Sequence, residues 1–174
     1  MANLIREQRL IDNNKRALLK YVFISDGTAE SNTTLVDVSS LNFAMNTNNY
    51  IMSSNTDPKN IYRTTIKRIF GNSTASAPGS YYKIQWQGAT NSEIMTFSST
   101  PFDYNFDSMG TGAVIPNPEA SSNGDILFST NNIGIGNTFT LFIDIRKDGR
   151  DYDSGQSADP VAFNKGPAAP WNPY

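Results

Sequence analysis

The sequence predicts an all-β protein, an antiparallel β-sandwich or jelly roll of about eight short strands. The first reason is a period-two pattern, clearest in YYKIQWQG, where Tyr82, Ile84 and Trp86 share one face. The second reason is the frequency of turn-forming groups rich in Asn, Gly and Pro between the apolar segments. In addition, no part of the chain shows the strand–helix–strand rhythm of a parallel sheet.

Eight segments have the length and composition of strands and are bounded by turn-forming residues. In chain order they are KYVFIS, TTLVDVS, YRTTIKRIF, YYKIQWQG, SEIMTFS, FDYNF, DILFST and TFTLFIDIR. In YRTTIKRIF, the alternation predicts that Ile66 and Phe70 share one face and that Ile69 lies on the other.

The chain divides into three predicted parts. Residues 1–20 form an N-terminal arm, either helical or extended, because their apolar residues come in pairs with charges between them. Residues 21–153 form the β-sandwich domain. Residues 154–174 form an extended C-terminal arm, since four prolines exclude a helix or a central strand there.

The composition excludes several classes of function. The 174 residues include no Cys and no His, so thiol chemistry, Ser-His-Asp catalysis and the usual zinc sites are ruled out. The net charge of −2 argues against nucleic-acid binding, although residues 1–20 carry five cations against two anions. No segment reaches the ~20 apolar residues of a membrane span, and MANLIREQRL lacks the apolar core of an export signal. We therefore expect a cytoplasmically folded protein that is not an enzyme and has no cofactor.

The acidic stretch FIDIRKDGRDYDSG, residues 142–155, raises the question of a calcium site. An EF-hand loop beginning at Asp144 fails at its third position, Arg146, and at its twelfth, Gly155. The stretch is therefore predicted to be the salt-bridged end of the last strand, with a turn at residues 147–150. Its charged side chains are expected to face solvent or an interface; they are Asp144, Arg146, Lys147, Asp148 and Arg150.

Asp103 and Asp107 in FDYNFD offer the pair of acids that glycoside hydrolysis requires. The sequence does not give their separation, and a chain with sixteen acidic residues contains many such pairs. Both are predicted to face solvent.

Several longer sequence segments together resemble small virion structural proteins of tailed bacteriophages, particularly those that infect marine cyanobacteria. They are IREQRLIDNNKRALLKYVFISDGT, YRTTIKRIFGN, YYKIQWQG, GTGAVIPNPEASSNGDILF and LFIDIRKDGRDYD. The resemblance covers most of the chain. It implies an enzymatically silent, all-β capsid decoration protein that is located in the virion, forms homo-oligomers and binds the major capsid protein or other virion proteins.

On this reading, the two arms and the charged strand end contact neighbouring subunits. The candidate interface residues are Leu4, Ile5, Arg6, Arg9, Arg146, Arg150, Phe163, Trp171 and Tyr174. The aromatic members are included because aromatic side chains often dominate binding energy at interfaces.

Two alternatives remain open from the sequence. One is a neck, head–tail connector or tail component, which could share the same fold. The other is a carbohydrate-binding or receptor-binding module in which Tyr81, Tyr82, Trp86 and Tyr104 stack on sugars. The second alternative requires these aromatic side chains to be exposed, whereas the alternation places Tyr82 and Trp86 in the core.

Overall fold

Ten β-strands and two short 3₁₀ turns lie in the part of the chain that the computed structural model describes, residues 3–51, 57–75, 77–98, 100–109, 115–116 and 122–153. The strands are β1 (Leu4–Asp12), β2 (Arg16–Ile24), β3 (Thr33–Val36), β4 (Thr64–Ser73), β5 (Tyr81–Trp86), β6 (Ser92–Phe97), β7 (Phe102–Asn105), β8 (Ile115–Pro116), β9 (Ile126–Asn131) and β10 (Thr138–Lys147). The 3₁₀ turns are Val38–Ser40 and Asp107–Met109.

The strands form two antiparallel sheets. The larger sheet has the order β1-β2-β10-β4-β7, with the short β8 also paired to β4. The smaller sheet has the order β3-β9-β5-β6. The predicted all-β sandwich is therefore confirmed, and each of the eight predicted segments contains a strand.

The core lies between the two sheets and is built by the period-two alternation. On β10, Phe139, Leu141, Ile143 and Ile145 are at most 2% exposed. The strands β2, β5 and β9 contribute further buried side chains, and the rings of Phe139 and Tyr82 stack with their centroids 4.5 Å apart. Burial of this apolar surface provides the main force that holds the sheets together.

The N-terminal segment is not an arm with a boundary at residue 20. Residues 4–12 form β1, and residue 20 lies in the middle of β2, which is hydrogen-bonded to both β1 and β10. In a strand the side chains of Leu18 and Leu19 point to opposite faces, and Leu19 is fully buried. Of the two predicted conformations, the extended one is correct. The predicted C-terminal arm, residues 154–174, lies outside the described residues.

A β-bulge in β4 changes which side chains face the core. Ile66 lies opposite Ile145 and Arg68 lies opposite Asp144, so Lys67 is the extra residue. Beyond the bulge the alternation is reversed, so that Ile69 is fully buried. The prediction that Phe70 shares the face of Ile66 is therefore wrong.

Candidate interaction surface

The larger sheet has one face that points away from the core, here called the outer face. Along each strand, the residues of the outer face alternate with the buried residues of the inner face. Two residues that lie opposite each other on neighbouring strands are on the same face. Its apolar side chains are Leu4, Ile11, Leu18, Val22, Ile24, Phe70 and Phe142. Leu4 and Ile24, paired at one end of the face, are 39% and 38% exposed.

The outer face is positively charged, unlike the chain as a whole. Its cations are Arg6, Arg16, Lys20, Arg68 and Arg146, and its anions are Asp103 and Asp144. Five cations and two anions give this face a net charge of +3, whereas the chain has −2. A partner surface that is acidic and partly apolar would complement it.

Both anions of the outer face are held by arginines in bidentate ion pairs. Arg16 donates from Nε and Nη2 to Asp144 over 2.7 and 2.8 Å. Arg68 donates in the same way to Asp103 over 2.8 and 2.6 Å, and this hydrogen bonding lowers the pKa of the Asp103 carboxyl. The carboxylates are thus neutralised within the face, and the excess positive charge is that of Arg6, Lys20 and Arg146.

A stack of two rings and two cations crosses the outer face. The rings of Phe70 and Phe142 are parallel, with centroids 4.6 Å apart. Lys20, on the strand beyond Phe142, lies 5.8 Å from that ring, and Arg68, which reaches towards β7, lies 4.6 Å from the ring of Phe70. Each ring therefore stacks on the other ring and has a cation over it, which restricts the access of a sugar or a base to the ring faces.

The predicted interface residues are only partly brought together. Leu4, Arg6 and Arg146 lie on the outer face, whereas Ile5 and Arg9 point to the inner side of β1. The guanidinium of Arg9 donates to the carbonyl and hydroxyl oxygens of Ser40. Arg9 therefore ties β1 to the body of the domain. Phe163, Trp171 and Tyr174 lie outside the described residues.

The predicted turn near the end of the acidic stretch is present, displaced by one residue. The amide of Asp151 donates to the carbonyl of Asp148 over 3.1 Å, so the turn spans residues 148–151. Arg150 donates to both oxygens of the Asp148 carboxylate over 3.0 and 2.6 Å. This hydrogen bonding lowers the pKa of Asp148 from 3.8 to about 2.

We expect the Arg150→Ala substitution to raise the pKa of Asp148 towards, but not fully to, 3.8. The shift stays incomplete because the amide of residue 150 still donates to the carboxylate over 2.9 Å. Titration of the Asp148 carboxyl carbon by NMR measures this change. The matched control Arg146→Ala removes the same charge from a neighbouring position and should leave the Asp148 midpoint in place. Equal shifts in both variants would mean that general charge, and not this contact, sets the pKa.

Lys147 does not form a solvated strand end as predicted, because its side chain is fully buried. Its Nζ forms an ion pair with Asp12 and donates to the carbonyls of Asn13 and Asn42, each over 2.8 Å. Burial lowers the pKa of Lys147, while the contact with Asp12 opposes that shift. The contact fastens the β1–β2 turn to the end of β10. Asp144 is also largely buried, at 8% exposure.

The remaining acidic residues of the stretch, Asp151 and Asp153, are buried. Asp151, at 2% exposure, accepts from the amide and the guanidinium of Arg63. Within the described ranges, no three acidic side chains come together as a ligand set for a metal ion.

The other predicted carboxylate pair is divided between two cations. Asp103 pairs with Arg68, as described above, and Asp107 pairs with Lys67 over 2.8 Å. Both carboxylates are more than half exposed, as the sequence predicted.

Of the four aromatic side chains considered for sugar binding, two are interior, Tyr81 is half-buried and Tyr104 is exposed. Tyr82 and Trp86 are at most 1% exposed, which confirms their predicted place in the core. Tyr104 is 41% exposed and lies between Phe102 and Phe106 on the edge strand β7, with centroid separations of 6.4 Å on each side.

A polar cleft of about 280 Å³ lies beside the 3₁₀ turn at Val38–Ser40 and is bordered by Lys59, Tyr62 and Asp125. Burial raises the pKa of Asp125, whose two oxygens accept from the Val38 amide and the Asn123 side chain. The carboxylate is thus used to fix the surrounding loops. The sequence contained no signal for this cleft, since its walls come from three separate segments.

The described residues contain no helix that is long and apolar enough to cross a membrane. Comparison with protein-family models, with curated proteins and with solved structures finds no match for this chain.

Proposed function

We propose that this protein is a virion structural protein that acts as a capsid decoration protein. In this role it binds the outer surface of the phage head and stabilises the contacts between capsid subunits. The observation that carries the proposal is the outer face, with its net charge of +3 and seven apolar side chains on one sheet. The resemblance of the sequence to small phage structural proteins supplies the identity of the partner.

The fold suits such a role because the outer face has a rigid support. The strands at its centre, β2 and β10, are hydrogen-bonded on both sides and have fully buried residues on their inner face. Because the backbone of this platform is already ordered in the free protein, binding does not have to order it. A protein that binds only the assembled shell stabilises that shell by mass action, and many copies act together.

The alternative proposal is a structural component of the neck, the head–tail connector or the tail. In that case the outer face would bind a protein of the neck or tail instead of the capsid protein. A glycan-binding role is less favoured, because Tyr82 and Trp86 are buried and the rings of Phe70 and Phe142 already stack on each other. The proposal includes no catalytic step and no cofactor.

Co-sedimentation with undecorated phage heads tests the proposal. The double variant Arg6→Glu/Lys20→Glu reverses two cations of the outer face that have no carboxylate partner among the described residues. We expect this variant to bind at least about tenfold more weakly, since each ~1.4 kcal/mol lost is a tenfold change. Binding of the natural sequence should also weaken as salt is added, because exposed charges are screened.

The matched control is Lys15→Glu/Lys83→Glu, which makes the same change in net charge outside the outer face. It should bind as the natural sequence does. Equal loss in both double variants would contradict the assignment of the outer face. Absence of binding by the natural, folded protein would reject decoration of the head and favour a neck or tail position.

A chain that ends at Asp153 separates the contribution of the C-terminal segment in the same assay. Loss of binding by this shortened chain would assign the anchor to the segment that carries Phe163, Trp171 and Tyr174. Retained binding would assign it to the sandwich.

A further inference from the structure

The strand β1 presents a long open edge. It stands at the end of the larger sheet, and no described strand pairs with its far side. With nine residues it is longer than the other described edge strands β3, β6 and β7, which have four, six and four residues. An open edge is a template for pairing with another strand, and the regular part of this edge runs from residue 4 to residue 9, before the bulge at Leu10.

The edge is held in place at both ends. Just before β1, the side chain of Asn3 donates to the carbonyl of Thr28 over 2.9 Å. Near its other end, Arg9 donates to the Ser40 carbonyl over 2.8 Å, and the Asp12 carboxylate accepts from the amide of Asn42. Because β1 is already ordered, its pairing with a partner strand would not include the loss of conformational entropy that ordering β1 would cost.

Charged side chains on an edge strand usually discourage pairing, but those of β1 alternate in sign. When two copies of one strand pair antiparallel about a two-fold axis, one residue lies opposite its own copy. An axis at Arg6, Glu7 or Arg9 would place identical charges opposite each other, which is destabilising. An axis at Gln8 places two neutral amides together and sets Glu7 opposite Arg9 of the second copy.

We propose that a second copy of this chain pairs with the open edge of β1, antiparallel and centred on Gln8. The pairing extends the larger sheet across both copies, and two Glu7–Arg9 contacts flank the axis. Within one chain, Glu7 already accepts from Arg9 over 2.8 Å, so the four charges form an alternating cluster in the dimer.

The pairing has a consequence for the binding surface. Residues opposite each other in an antiparallel pair share a face, so the outer faces of the two copies point to the same side. The dimer therefore presents the outer face twice on one surface, and the two contacts with a repeating partner reinforce each other. This consequence rests on the proposed function, whereas the pairing itself does not.

Sedimentation equilibrium of the full chain over a range of concentrations tests the pairing, with no phage heads present. We expect the natural sequence to dimerise reversibly. Gln8→Lys and Gln8→Glu each place two like charges opposite each other, and each should raise the dissociation constant about tenfold or more. The control Gln8→Thr keeps a neutral side chain and a good strand former and should dimerise as the natural sequence does.

Mixing the two charged variants provides the decisive measurement. An equimolar mixture of Gln8→Lys and Gln8→Glu places opposite charges across the axis and should recover the dimer. A merely local effect of either substitution on β1 would not be repaired by mixing. A monomeric natural sequence, unchanged dimerisation of both charged variants, or no recovery in the mixture would each overturn the proposal. None of these results depends on whether the protein binds heads, so a failure of the proposed function is seen separately.

Discussion

The Lys147→Met substitution is expected to lower the free energy of unfolding by about 3 kcal/mol, because it breaks a buried ion pair by removing one partner. The lysine side chain is fully buried and the carboxylate of Asp12 is 4% exposed. In the variant, the carbonyls of Asn13 and Asn42 also lose their donor. Asp12 keeps hydrogen bonds from Arg9 and from the amide of Asn42, which places the expected loss at the lower end of the range for such pairs.

Urea-induced unfolding followed by tryptophan fluorescence measures this change. Arg150→Met is the matched control, since it removes a cation from the exposed pair with Asp148 in the same segment. Its unfolding midpoint should stay close to that of the natural sequence, because exposed ion pairs contribute little. If both variants unfolded at the same urea concentration as the natural sequence, Lys147 would not be the fastening point described above.

The Phe139→Ala substitution is expected to lower the free energy of unfolding by about 3–5 kcal/mol. The ring is 2% exposed and stacks on Tyr82, with centroids 4.5 Å apart. Further rings at 5.4, 5.7 and 6.0 Å belong to Phe97, Phe128 and Phe102. Because these neighbours come from both sheets, removing the ring leaves a cavity that neither sheet can close alone.

Phe142→Ala is the matched control, on the same strand but on the outer face. It loses the stack with Phe70 and should cost about 1 kcal/mol or less. Thermal or urea unfolding compares the two variants directly. A loss in Phe142→Ala as large as that in Phe139→Ala would contradict the assignment of the two faces of β10.

The strands of the core could be predicted from the sequence because their two faces have different environments. In β5 and β10 one face is buried against the opposite sheet, so apolar and polar residues alternate. The strand β1 is exposed or half-exposed along its whole length and therefore shows no such alternation. A bulge in which Leu10 is the extra residue further disrupts its register. These features explain why residues 1–20 were predicted to be an arm.

At Lys147 the alternation of buried residues predicts burial correctly, whereas the residue type predicts exposure. Its position continues the buried series of Phe139, Leu141, Ile143 and Ile145, so the alternation alone places it inside. A lysine at a strand end is ordinarily solvated, and that expectation prevailed in the sequence-based prediction. The partner that permits its burial, Asp12, lies 135 residues away in the chain.

The residue pattern predicts the all-β class, eight of the ten described strands and most of the residues that face the core. These are consequences of a two-residue repeat, which depends only on backbone geometry within one strand. The order of the strands, the bulge at Lys67 and the composition of the outer face depend on contacts between distant segments and are seen only in the three-dimensional structure. Lys20, Phe142, Phe70 and Arg68 meet because β2, β10 and β4 are neighbours, and pairing between strands far apart in the chain leaves no local signal in the sequence.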